Sequence, residues 1–129
     1  MSIEVVAAVI RRGDFLLITR RAGNRHLGGY WEFPGGKLND GESKEQGLQR
    51  EIHEETGLQI RVNHLLHTVE HDYTERFVRI HFFDCSVLAG DSEIGDGITE
   101  LKWVRTDELG QYAFPEANRP LLEILQRVE

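Results

Sequence analysis

The chain has one cysteine, Cys85, in 129 residues. No disulfide can form within it, and a reducing, cytoplasmic compartment is expected. Cys85 lies inside an apolar run and reads as a small core residue. No apolar stretch approaches membrane-spanning length, and no basic patch at the N-terminus leads into one, so neither a membrane anchor nor a signal peptide is expected. Basic charge is also scarce. The 15 Lys and Arg are outnumbered by 22 Asp and Glu, for a formal net charge of −7. A surface of that sign does not wrap a polyanion, and the cations form no stripe, which argues against direct binding of duplex DNA. Repeats, low-complexity tracts and linkers are absent. One domain over residues 1–129 is expected, long enough to bury its own core, and a monomer.

What is present is ordinary for a globular protein, with 40% hydrophobic and 29% charged residues. Ile3 to Ile10 is apolar and β-branched and reads as a strand; Arg11 to Asp14 reads as a turn, and Phe15 to Thr19 as the returning strand. Arg20 to Tyr30 lacks periodicity and is expected to be a loop. Trp31-Glu32-Phe33 is a short extended piece, ended by Pro34-Gly35-Gly36. Two long strands, Leu58 to His71 and Arg76 to Leu88, flank a polar turn. After the Gly- and Asp-rich stretch Ala89 to Thr99 comes a short strand, Glu100 to Val104. Pro115 to Val128 reads as a closing helix with Leu121, Leu122 and Leu125 on one face. This order predicts an α/β (α+β) sandwich, with sheet and helices in layers.

The clearest helix starts after Ser43. Ser43 and Gln46 form a capping-box pattern, Gly57 is placed to stop the helix after Thr56, and Leu48 and Ile52 give it a buried stripe. Glu51, Glu54 and Glu55 fall three and four apart on it and share one surface. Glu42 precedes the helix, and Arg50 stands beside Glu51, where a guanidinium can fix a carboxylate's orientation. Taken alone, this cluster is either a solvated acidic face or a site for a hard cation such as Mg²⁺, with Mn²⁺ as a substitute.

The wider spacing separates those readings. Gly36, five residues, Glu42, seven residues, Arg50-Glu51-Ile52, one residue, Glu54-Glu55, one residue and Gly57-Leu58 resemble the signature box of the Nudix hydrolases at every specified position. The resemblance implies a mixed β-sheet between α-helices, with the box as loop–helix–loop. It also implies a divalent metal held by Glu51, Glu54 and Glu55 with the Gly35 carbonyl, Glu42 further out, and Arg50 orienting the glutamates. Water then attacks phosphorus, with Glu51 or another nearby carboxylate taking its proton. Glu100, after the acidic loop, is similar to a glutamate that approaches the metals or acts as base in MutT-like members.

The box leaves the base unspecified. Trp31 to Lys37 and Phe114 to Pro120 resemble segments of the MutT-like branch, whose members hydrolyse 8-oxo-dGTP to 8-oxo-dGMP and pyrophosphate and so cleanse the nucleotide pool. By that resemblance Asn118 reads the base, and Arg21, His26, Phe33 and Arg76 contact substrate. The chemistry is consistent: oxidation at C8 turns the N7 acceptor of guanine into a donor beside the O6 acceptor, and one carboxamide satisfies both. Two alternatives stand beside it. One is another nucleotide substrate, above all a CTP or dCTP derivative, since Trp31-Glu32-Phe33 also resembles cytidine-preferring relatives. The other is a binding module without catalysis, which intact box glutamates argue against.

Overall fold

The computed structural model describes residues 2–23, 28–74, 76–95 and 97–127. Strands β1 (Ser2–Arg12) and β2 (Phe15–Arg21) form a tight hairpin around Gly13-Asp14. The expected four-residue turn is shorter than read, because Arg11 pairs with Leu16 and Arg12 with Phe15. The two strands then part. Strand β1 runs parallel to β6 (Arg76–Ala89), which pairs antiparallel with the edge strand β5 (Gln59–Tyr73). Strand β2 pairs with β3 (Trp31–Glu32) and with β7 (Ile98–Arg105).

One expected break proves to be a strand. Gly35–Lys37 forms β4, paired with Val5, Val6 and Ala7 of β1. A Cβ on Gly35 would stand 2.0 Å from the Val6 carbonyl, so only glycine lets the two backbones approach this closely.

Alternation along the strands sends side chains to two faces. On one face Val6, Ala8, Ile10, Leu17 and Cys85 pack against Leu48 and Ile52 of helix α1 (Lys44–Thr56). On the other, Ala7, Val9, Leu16, Ile18 and Phe82 pack against Leu121 and Leu125 of helix α2 (Arg119–Arg127). The sheet therefore lies between helices, as expected. Cys85 is fully buried, and desolvation pushes its thiol up to about 12, consistent with an inert core residue.

Helix α1 follows its sequence signals closely. Ser43 Oγ accepts the Gln46 N–H at 3.1 Å, the Gln46 side chain accepts the Ser43 N–H at 3.1 Å, and Gly57 closes the helix with φ 75°. The closing helix starts later than read. Glu116–Asn118 is a separate 3₁₀ turn, and α2 begins at Arg119, with Pro120 in its first turn where a missing N–H is harmless. A further 3₁₀ segment, Thr106–Gln111, carries no periodic signal and was not expected.

Candidate active site

A cleft of about 720 Å³ opens where the box meets the sheet. Its floor is apolar and comes from register. The parallel pairs Ile3–Val78, Val5–Ile80 and Ala7–Phe82 present every second side chain of β1 and β6 to it. Phe33 stacks on Phe114 with centroids 5.4 Å apart and meets Phe82 edge-on at 6.3 Å, which fixes the floor at one side.

The walls are polar. Gly35, Gly36, Glu51, Glu54 and Glu55 of the box line the cleft together with Arg21, Glu32, Lys37, Arg76 and Asn118. Of the site residues expected from sequence, eight therefore converge here: Arg21, Phe33, Gly35, Glu51, Glu54, Glu55, Arg76 and Asn118. His26 lies outside the described residues.

Arg50 sits behind the carboxylates. Its Nε and Nη2 donate to both oxygens of Glu42 at 2.6 and 3.0 Å, and its Nη1 donates to Glu51 at 3.0 Å and Glu54 at 3.1 Å. Nη2 also donates to the Lys37 carbonyl at 3.2 Å. Glu42 accepts the Asn39 N–H too; Arg50 first, then that N–H, hold its carboxyl below the ordinary value. Glu42 foremost, then Glu51, raise the Arg50 guanidinium. Arg50 is thus a fork that ties the loop before α1 to the helix face carrying Glu51 and Glu54.

Glu55 is half-buried. Desolvation, then the charges of Glu32 and Glu51, push its carboxyl well above the ordinary value, and the Gly35 N–H at 3.3 Å offsets only part of that. A Cβ on Gly36 would meet the Glu51 carboxylate, whose flexible side chain would have to swing aside. Like charges pressed together at a partly desolvated cleft call for a cation, and a divalent ion beside them reverses the direction of such a shift. The donors are all hard oxygens, which suits an alkaline-earth ion. Among the described residues no group of three or more His, Cys, Asp or Glu side chains converges in ligand geometry.

Asn118 differs from all of these. It is only 7% exposed, and its backbone N–H donates to the Pro115 carbonyl at 2.9 Å. Its carboxamide has no hydrogen-bond partner among the described residues, although it lines the cleft and immediately precedes α2. The side chain therefore does not cap the helix that follows it.

Glu100 lies elsewhere. The register of β2 and β7 shifts between Arg20 and Arg21, so Glu100 opposes Arg20 while Ile98 opposes Arg21. Arg21 and Ile98 line the cleft, whereas Glu100 shares the other face with Arg20 and forms a 2.7 Å ion pair with it. No sequence signal marks this bulge. Glu32 is the converse case, a cleft residue that went unremarked. It pairs with Arg21 at 2.8 Å, and the signal for it was the alternation with core-facing Trp31.

A NUDIX domain model matches residues 5–124. The chain is 43% identical over 82 residues to an 8-oxo-dGTP diphosphatase of Proteus vulgaris, covering 63% of this chain and 73% of that protein. It is 33% identical over 121 residues to the CTP pyrophosphohydrolase of Escherichia coli (strain K12), covering 94% of this chain and 89% of that protein. The crystal structure of a MutT protein from Methanosarcina mazei Go1 superposes with a TM-score of 0.88 at 32% identity, covering 98% of this chain and 94% of that one.

Proposed function

Because this chain belongs to the Nudix family and is a pyrophosphohydrolase, we propose that its substrate is 8-oxo-dGTP, cut to 8-oxo-dGMP and pyrophosphate with Mg²⁺. The carboxamide of Asn118, which lines the cleft with no hydrogen-bond partner among the described residues, carries the choice of base. The floor formed by Val5, Ala7, Ile80 and Phe82 suits a flat purine, and Asn118 at its margin offers one acceptor and one donor. An oxidised guanine presents N7–H and O6 to that amide and satisfies both halves. Unmodified guanine presents two acceptors, leaving the amide oxygen unpaired.

The other residues take roles consistent with their places. Glu51, Glu54, Glu55 and the Gly35 carbonyl would hold the metal, which supplies charge neutralisation of the phosphates and a more acidic bound water. Arg50 keeps Glu51 and Glu54 aligned. Glu51 or a neighbouring box carboxylate accepts the proton of the attacking water. Arg76 has no ion-pair partner among the described residues and is placed to meet phosphate or base, and Arg21 exchanges part of its pairing with Glu32 for substrate. Glu100, held by Arg20, enters this scheme only if that ion pair opens when nucleotide binds.

The CTP pyrophosphohydrolase similarity favours a second reading, a cytidine triphosphate in the same cleft. A crystal soaked with 8-oxo-dGMP separates the two. The proposal requires the N7–O6 edge of the base against the Asn118 carboxamide; a base turned away from Asn118 contradicts it.

A further inference from the structure

A helix leaves its last carbonyls without partners inside the helix. At the end of α1 these are met from two directions. The Gly57 N–H donates to the His53 carbonyl at 3.0 Å, within the helix's own cap. The Glu93 N–H donates to the Thr56 carbonyl at 2.9 Å and the Gly95 N–H to the Glu55 carbonyl at 2.8 Å, both from the segment that follows β6. That segment is tied down elsewhere too. The Trp103 Nε1–H of β7 donates to Ser92 Oγ at 3.2 Å, and the Gly97 carbonyl accepts the Ala22 N–H at 3.1 Å. Gly97 and Ile98 then line the cleft. Residues 90–95 thus form a strap from the end of α1 to the rim built by β2 and β7.

The tightest point of the strap is Gly95. A Cβ there would lie 2.2 Å from the Glu54 carbonyl oxygen and 2.7 Å from that of Glu55. Both atoms are backbone, so no flexible side chain can swing aside. Gly95 does not adopt the left-handed backbone, so the position requires the absence of a Cβ rather than freedom of φ.

We propose that the strap, through Gly95, is a positioning element for hydrolysis: it sets the height and rotation of the last turn of α1, and with them the places of Glu54 and Glu55 at the cleft. This rests on the assignment of those glutamates as metal ligands given above. The carboxylates ride on the turn that the strap contacts, whereas Asn118 and Arg76 stand on other elements. Disturbing the strap at Gly95 therefore alters metal binding and turnover more than nucleotide affinity.

The test compares Gly95→Ala, Ser92→Ala and Glu54→Gln. Free Mn²⁺ is followed by electron paramagnetic resonance as each unliganded protein is titrated; kcat and KM are measured, and melting is followed in EDTA. A displacement near 1 Å predicts a fall in kcat on the order of 100-fold for Gly95→Ala, with Mn²⁺ binding weakened about ten-fold and KM within about three-fold. Ser92→Ala, which loosens the strap without a clash, shifts Mn²⁺ binding and kcat the same way by a few-fold, on the order of one hydrogen bond. Glu54→Gln tests the premise: if it binds Mn²⁺ as the unaltered protein does, the ligand assignment fails. If Glu54→Gln loses Mn²⁺ while Gly95→Ala keeps both Mn²⁺ affinity and kcat, or changes KM alone, the strap has no positioning role. Should Gly95→Ala not fold, unchanged Mn²⁺ affinity and kcat in Ser92→Ala overturn the proposal.

Discussion

The carboxylate end of α1 and the turn before α2 line the same cleft but are built in opposite ways. At α1 nearly every polar group has a partner: Arg50 binds Glu42, Glu51 and Glu54, Gly35 donates to Glu55, and the helix is capped at both ends. At the turn before α2, Asn118 presents to the cleft a carboxamide with no hydrogen-bond partner among the described residues. A fully paired region has its geometry set before the ligand arrives, which suits a reaction common to a whole family. Under the proposed function, a region left with one unmet amide draws its specificity from the ligand that completes it.

Breaking the α1 side has the largest expected effect. Glu54→Gln or Glu51→Gln lowers kcat by roughly 10²–10⁴-fold, the range for losing a reacting-group contact, measured as pyrophosphate release. Their melting temperatures in EDTA stay close to that of the unaltered protein, because removing one of several crowded like charges does not destabilise the empty site.

Breaking the α2 side has a smaller and more selective effect. Asn118→Ala lowers the preference for 8-oxo-dGTP over dGTP by roughly 10- to 100-fold, the equivalent of one or two hydrogen bonds, with kcat changed less than KM. Asn118→Asp sharpens the contrast. A carboxylate accepts from the cytosine amino group and offers nothing to O6 of a guanine, so relative activity on CTP rises.

A pH series probes Glu55. Its carboxyl is raised by burial and by Glu32 and Glu51, so the folded state binds more protons than the unfolded state above the ordinary carboxylate range. Its contribution makes the metal-free protein lose stability as pH rises from about 4.5 toward the raised value. Melting in EDTA therefore falls more steeply over that window than in Glu55→Gln, by several degrees, at roughly 3–6 °C per kcal/mol for a chain of this size. Saturating Mg²⁺ removes the difference. The smallest effect belongs to the cap: Ser43→Ala costs about 1 kcal/mol of stability by denaturant titration and leaves base preference unchanged.

The two regions were also unequally legible. The capping box at Ser43 and Gln46, the stop at Gly57 and the convergence of Glu51, Glu54 and Glu55 follow from local spacing, because a helix writes its surface into positions three and four apart. Strand β4 did not, since two glycines carry no side-chain alternation and their pairing depends on the distant backbone of β1. Glu100 was expected at the site, yet a one-residue register shift in β7 turns it toward Arg20. The parallel pairing of β1 with β6 builds the apolar floor, and no local pattern announces a partner so far along the chain. Asn118 could be singled out by resemblance; that its amide lines the cleft without a partner among the described residues, and does not cap α2, is visible only in the fold.

The most direct test of the Asn118 assignment is a set of specificity constants for 8-oxo-dGTP, dGTP and CTP, measured at limiting substrate with Mg²⁺. The account predicts that 8-oxo-dGTP exceeds both of the others and that Asn118→Ala erases its lead over dGTP. A specificity constant for dGTP or CTP equal to or above that for 8-oxo-dGTP in the unaltered protein contradicts it.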